Sequence, residues 1–350
     1  MSVPSSMLAS VLVAPQKIEL ERRDVPQPGP GQVLARVTAV GCCGSDTHFF
    51  ETGHVGDIVV DGPIVLGHET AGQIVAVGEG VGAARIGQRV AIDPQRPCRR
   101  CHYCKHGESH LCPDMKMYGA YPTDGSFAEY VIIDDDFAYA IPDSMSDEEG
   151  ALVEPLSVAV HAARRASITS GSKVFITGAG PIGIMCAEAA RAFGATEIVV
   201  SDPMQLRRET AARHGATETL DPMAGDLERF DRHFDVYLDA SGNARAIQAA
   251  FSTIRPSGIA VLVGMGSLDL ELPIAMIQHR EITVTGTFRY VNTWPTAIEL
   301  MTSGRVKVDD LVTGTYGLDV VDEALMRAKT DPTAIKTMIV PALTPAQGAA

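Results

Sequence analysis

VFITGAGPIGIMCAEAA, residues 174–190, joins an apolar β run to an apolar helix through Gly178, Gly180 and Gly183 in G-x-G-x-x-G spacing. The first glycine allows a tight turn and the second lets the backbone approach a pyrophosphate. The third lets helix and strand pack closely, while the helix N-terminus faces the phosphates. The glycines alone are a weak signal; their place directly after a strand and at the opening of a helix makes the case. Asp202 ends the next β run, EIVVSD, where a carboxylate accepts hydrogen bonds from the adenosine ribose hydroxyls and repels a 2′-phosphate. That favours NAD over NADP, although Arg207 and Arg208 follow, and an arginine near this strand end can take the phosphate of NADP. Asp202 also suits a helix cap before Pro203, and Cys186 reads as a small buried apolar residue.

Outward from this stretch, six β runs at 173–177, 197–201, 218–220, 234–239, 259–263 and 282–285 alternate with helical segments. Alternation of this kind predicts a parallel sheet, and six strands complete a dinucleotide-binding one. The earlier part is mostly β: a first strand at 7–14, then 32–40, 70–77, 88–92 and 126–133, broken by Gly and Pro. The roughly 60 residues after the sixth strand are too few for a core of their own and are expected to pack back on the β domain. The predicted class is α/β: a β domain of residues 1–156 and 291–350 carrying a cysteine lobe at 94–116, with a doubly wound domain inserted at 157–290.

The chain has 350 residues, 45% of them hydrophobic, and a formal charge of −14, enough to bury a large core. That charge repels nucleic acid and anionic membrane surfaces, so neither is an expected partner. No apolar run approaches the roughly 20 residues of a membrane span. The start, MSVPSSMLASVLVAPQK, lacks the basic region of an export signal, so a cytoplasmic location is expected, with thiols free for metals. Asp134 to Asp136 reads as a solvated acidic turn.

Cys98, Cys101, Cys104 and Cys112 follow a C-x2-C-x2-C-x7-C pattern. Four thiolates converging on one zinc leave no open position, so a metal there is structural. Disulfides or an iron–sulfur cluster are the rival readings, and the first needs an oxidising compartment. His102, His106 and His110 in the same lobe are expected as exposed loop histidines. A second, sparser set, Cys43 in GCCGSD with His68 and Glu69 in LGHET, offers sulfur, nitrogen and oxygen while leaving a coordination position open, as catalysis requires. Separately each has a blander structural reading, and Cys42 is the rival thiol.

With Cys43-Gly44-Ser45-Asp46, Gly67-His68-Glu69, the four-cysteine lobe and the Gly178 loop in this order, the chain resembles the zinc-dependent medium-chain dehydrogenase/reductases over essentially its full length. The segments 150–157, GALVEPLS, and 288–295, FRYVNTWP, resemble those of the polyol branch, the sorbitol and xylitol dehydrogenases. The resemblance implies a GroES-like β domain and an inserted Rossmann domain, with one catalytic and one structural zinc per chain. It implies Cys43, His68 and Glu69 as catalytic-zinc ligands, with Glu154 ligating the metal or hydrogen-bonding its water. Ser45 and His48 become proton-relay groups, and Arg289 and Tyr290 contacts of the polyol. Ile182, Arg207, Val263, Gly264, Met265, Thr287 and Phe288 join the cofactor contacts, and the assembly is a homotetramer or homodimer. Phe49 is a departure, standing where the resemblance places a substrate-contacting tyrosine. The residues also allow other readings: Glu154 as a first-turn carboxylate of a helix started by Pro155, Arg289 as an anion contact, and Tyr290 as a partly buried ring. The implied activity is oxidation of a secondary hydroxyl of a sugar alcohol to the ketose with hydride transfer to NAD. A butanediol- or threonine-type dehydrogenase, or a non-catalytic NAD- and zinc-binding protein, are the alternatives.

Overall fold

The KVFIT run forms the strand Lys173–Thr177 at the centre of a six-stranded sheet in the computed structural model, which describes residues 3–266, 269–308 and 310–345. All its pairings are parallel, and with the strands counted along the chain the spatial order is 3-2-1-4-5-6. Strands buried on both faces need continuous apolar sequence, which Val174, Phe175, Ile176, Ile198, Val199 and Val200 provide. Phe175 stacks on Phe234 and Tyr237 at 5.3 and 5.9 Å between ring centroids. The strand order reverses between Lys173–Thr177 and Phe234–Asp239, and in such sheets a ligand crevice opens at that reversal, outside the carboxyl ends. The fifth strand, Ile254–Leu262, is longer than the expected 259–263, with an irregular register opposite Phe234 and Val236.

At the glycine turn Gly178 has φ +89°, and a Cβ on Gly183 would lie 1.8 Å from the Gly178 carbonyl oxygen. Helix Pro181–Ala192 can approach the strand this closely only because residue 183 has no side chain. Pro181 sits at its first turn, where a missing N–H costs nothing.

In the other part of the chain the strand Gln32–Gly41 organises a seven-stranded sheet. It pairs antiparallel with Glu69–Val77, Tyr130–Asp134 and Lys336–Ile339, the last of which pairs in parallel with Val312–Tyr316. A three-stranded sheet of Ser6–Ala14, Lys17–Asp24 and Ile64–Val65 lies in the same unit. Leu12, Leu34, Ile64, Ile74 and Phe127 are buried in its core, each contributing about 1.5–3 kcal/mol relative to exposure. The expected strand at 126–133 begins only at Tyr130, because the N–H groups of Ser126 and Phe127 donate to Gly67 and Leu66.

The chain forms two compact units, residues 1–154 with 308–350 and residues 155–307. The outermost residues of the expected β domain, 1–2 and 346–350, lie outside the described residues. Residues 291–307, expected with the β domain, belong to the second unit instead. There Arg164 donates to the Asn292 carbonyl and to Thr296 Oγ1, Arg191 donates to the Arg305 carbonyl, and Trp294 is buried. The first boundary falls within helix Asp147–Arg165, so Pro155 lies inside a helix and does not begin one. The helix starts earlier because Ser146 and Glu149 form a reciprocal cap: Glu149 N–H donates to Ser146 Oγ (3.0 Å) and Ser146 N–H to Glu149 Oε2 (2.7 Å). Among the described residues no helix is long and apolar enough to cross a membrane.

Candidate active site

Strand pairing builds the mixed donor set. Gly41, ending Gln32–Gly41, is in register with Glu69, which opens Glu69–Val77. Cys43 follows the first strand at the N-terminus of helix Gly44–Thr52, and His68 precedes the second. One ligand atom from each of Cys43, His68 and Glu69 falls within a 4.8 Å group, with His68 and Glu69 buried. Asp46 fixes this geometry: its Oδ2 accepts from Cys43 N–H (3.0 Å), its Oδ1 accepts from Gly67 N–H (3.0 Å) and lies 3.4 Å from His68 Nδ1. Burial opposes charge on His68, yet Asp46 and Cys43 outweigh it and hold the imidazole pKa well above its ordinary value. Burial likewise opposes ionisation of Asp46, but His68 and the two N–H donors keep its pKa below the usual carboxylate value.

Lys336 reaches the same point from the Lys336–Ile339 strand, its Nζ 2.6 Å from both Glu69 oxygens and 2.8 Å from the Cys42 carbonyl. Burial works against its charge, but Glu69 and Cys43 raise its pKa above the ordinary lysine value. Cys42, the rival thiol, is outside the donor group, and burial pushes its pKa up to about 12. Thiolate, imidazole and carboxylate together suit zinc, and three protein ligands leave a position open.

Glu154, named as a possible fourth ligand, falls outside the donor group; it is buried on helix Asp147–Arg165. Ser45 and His48 are on helix Gly44–Thr52, half-buried and exposed respectively, and His48 is outside the donor group. Phe49 is packed into the β unit's core, 4% exposed, and so serves packing more than any ligand.

Cys98, Cys101, Cys104 and Cys112 form the second donor group. Cys101 and Cys104 Sγ are 3.5 Å apart, and Cys98 N–H donates to Cys112 Sγ (3.3 Å); a zinc tetrahedron with ~2.3 Å bonds has sulfur–sulfur edges of roughly 3.8 Å. The backbone N–H of Arg100 brings the Cys98 thiol down to about 7, whereas desolvation and the neighbouring Cys101 push Cys104 up to about 12. Crowded thiols resist ionising together, and a dication removes that conflict. The lobe's histidines are not in the group, and His110, expected exposed, is buried in the short helix Ser109–Leu111. The acidic turn is tied down by arginines: Asp134 and Asp136 pair with Arg99, and Asp135 with Arg85.

In the second unit a cleft of about 650 Å³ opens at the strand-order reversal, lined by Gly178, Gly180, Asp202 and Arg207 among others. Asp202 braces the turn from the cleft wall: its Oδ2 accepts from Ala179 N–H in the glycine turn and its Oδ1 from Met204 N–H, both at 2.8 Å. It is not a helix cap, since the following helix, Gln205–Arg213, is capped by Met204. Arg208 is occupied by the Asp202 and Pro203 carbonyls and by Asp221, leaving Arg207 to line the cleft.

Ile182, Gly183, Val263, Gly264, Met265, Thr287 and Phe288 are not among the lining residues. Gly183 supports the turn from behind, while the N–H groups of Val263 and Gly264 donate to the Asp239 carbonyl. The Asp239 carboxylate in turn accepts from Ser241 and Gly242 N–H, shaping a turn that faces the cleft. Sequence reasoning missed this turn, together with Asp221, Met223, Asn243 and Arg245 on the cleft wall; only the Ser-Gly-Asn run, a turn signal, pointed to it.

Arg289 has a positive φ and stacks on the exposed Phe288 ring at 4.6 Å. Tyr290, a polyol contact by the resemblance and a partly buried ring by the other reading, is fully buried, edge-on to Trp294 at 5.9 Å between ring centroids.

A dinucleotide-type cleft in one unit and an open-position metal donor set in the other define a nicotinamide-linked metal dehydrogenase. The comparisons agree: residues 29–143 match the alcohol dehydrogenase GroES-like domain and residues 181–303 the zinc-binding dehydrogenase domain. The chain belongs to the zinc-dependent medium-chain dehydrogenase/reductase family and is an oxidoreductase. It is 42% identical to a sorbitol dehydrogenase of Bacillus subtilis, over 93% of this chain and 95% of that protein. Against a probable D-xylulose reductase A of Neosartorya fischeri it is 39% identical, over 95% and 96%. Among solved structures, an Escherichia coli oxidoreductase of unknown specificity superposes with a TM-score of 0.92 at 34% identity, covering 96% of this chain and 99% of that one.

Proposed function

We propose that this protein oxidises a secondary hydroxyl of a sugar alcohol, of the sorbitol or xylitol type, to the ketose, with NAD as hydride acceptor. The observation that carries it is the convergence of Cys43, His68 and Glu69 on one point of the β unit, in a chain whose relatives carry sorbitol dehydrogenase and D-xylulose reductase names.

Cys43, His68 and Glu69 would hold the catalytic zinc, and the four cysteines from Cys98 to Cys112 a structural one. When bound, the catalytic zinc supplies a Lewis acid that lowers the pKa of the substrate hydroxyl, and NAD supplies the hydride acceptor. The chain's own work is positional. Asp46 holds His68 in one orientation, the glycine turn and Asp202 present backbone N–H groups and a carboxylate to the dinucleotide, and Glu154 accepts the hydroxyl proton, with Ser45 and His48 relaying it outward. Arg289 offers a fork of donors to polyol hydroxyls. Asp202 in the cleft supports NAD over NADP.

The test is NADH formation by purified protein across xylitol, sorbitol, ribitol, butanediol, threonine and ethanol, with NADP in parallel. Turnover concentrated on pentitols or hexitols with NAD is expected. Activity confined to butanediol or threonine would move the substrate class, and no activity in the zinc-replete protein would overturn the catalytic reading.

A further inference from the structure

We propose that Lys336 is a positioning residue for the metal centre, holding the Glu69 carboxylate beside Cys43 and His68 and balancing the negative charge gathered there. The inference rests on Cys43, His68 and Glu69 being zinc ligands, the reading proposed above.

Three features of the fold converge on this lysine. Its ammonium lies 2.6 Å from both Glu69 oxygens, and side-chain exposure is 4% for Lys336 and 1% for Glu69. The ammonium donates to Glu69 Oε1, and a second hydrogen bond, to the Cys42 carbonyl at 2.8 Å, ties it to the residue before Cys43. Cys42 N–H donates to the Thr337 carbonyl, so the last strand is pinned alongside the ligand-bearing turn. Finally, a Cβ on Gly41 would sit 2.0 Å from Glu69 Oε2 and 3.0 Å from Lys336 Cε. The position that a side chain would fill is given to the ion pair, and glycine at 41 is what leaves room for it.

A buried carboxylate packed against a thiolate repels it, and an unpaired buried charge is costly. A neutral donor would satisfy the hydrogen bonds of Glu69 without offsetting its charge. Lys336 does both, so the donors are assembled before a metal arrives. Groups that orient metal ligands from behind typically change affinity about 10–100-fold when removed.

The experiment measures zinc affinity of the full chain by competition with a chromophoric chelator, together with the cobalt(II) absorption spectrum. The zinc of the four-cysteine cluster serves as an internal check that each variant is folded. Lys336→Met is expected to weaken the catalytic-site zinc about 10–100-fold and to shift the cobalt bands while the second zinc is retained. Lys336→Gln keeps a donor without the charge; it is expected to show the same loss and stands in should the methionine variant not fold. Because Lys336 acts through Glu69, the double variant with Glu69→Gln is expected to lose no more than Glu69→Gln alone. Unchanged affinity and spectrum, or losses that add in the double variant, would overturn the role. Cys43→Ser separates the two readings. If it leaves zinc binding at this site intact, the ligand assignment itself fails; if it abolishes that zinc while the lysine variants bind normally, only the positioning role fails.

Discussion

Asp46 occupies the third position of the helix that Cys43 caps, and from there one carboxylate serves the backbone of Cys43, the backbone of Gly67 and the ring of His68. Asp46→Asn keeps the shape but removes the charge that orients the imidazole, and zinc retention against a chelator is expected to fall roughly 10–100-fold. Native-like circular dichroism with this loss would place the effect on the site and not on folding. The grouping of Cys43 with His68 and Glu69, and that of the four cysteines, was legible because these residue types stand in short glycine-flanked motifs and a closely spaced cysteine run. Lys336 was not, since 267 residues separate it from Glu69 and only strand pairing brings them together. The burial of Phe49 and Tyr290 was not legible, because an aromatic residue in a functional-looking motif carries no sign of whether its ring points to ligand or to core, and both rings are buried.

At the scale of single elements, the glycine turn and the Ser146 cap make separable predictions. Gly183→Ala would drive a Cβ into the Gly178 carbonyl, so helix Pro181–Ala192 must shift away from the strand. Loss of NADH binding in a fluorescence titration is expected, with the metal content of the β unit unchanged. Ser146→Ala removes one half of a reciprocal cap, and a stability loss of about 0.5–2 kcal/mol is expected in denaturant unfolding. The inner parallel strands, Lys173–Thr177 and Glu197–Ser201 above all, were readable because strands buried on both faces are written as continuous apolar runs. The start of helix Asp147–Arg165 was obscured by Pro155, which ordinarily signals a helix beginning, yet here sits inside one.

Over the whole molecule, the second unit carries paired carboxylates, Glu188 buried and Glu197 and Asp235 half-buried, whose partners favour the ionised form. Desolvation raises the pKa of Glu188, Glu197 and Asp235, but His214 and Arg191, His233 and Lys173, and the Lys173 N–H with Arg255 respectively bring each below its ordinary value. A carboxylate whose folded pKa is depressed stabilises the fold above its unfolded pKa, and that contribution is lost as pH falls through the folded value. The unfolding temperature is therefore expected to hold down to the ordinary carboxylate range, near pH ~4, and to drop below it. Glu188→Gln should flatten that drop; an equally steep fall in the variant would remove Glu188 from the account.

The strand Lys336–Ile339 lies between Gln32–Gly41 and Val312–Tyr316 in the sheet of the β unit. During synthesis the continuous stretch 155–307 leaves the ribosome before that strand exists. The unit containing the mixed donors must wait, because pairing across about 300 residues is slow and comes late. A nascent chain can therefore acquire its nucleotide-binding half while the other half is unfinished. The half that bears the mixed donors closes only once residue 336 and its neighbours have been translated, so a prematurely terminated chain would hold the nucleotide-type cleft without the assembled donor set.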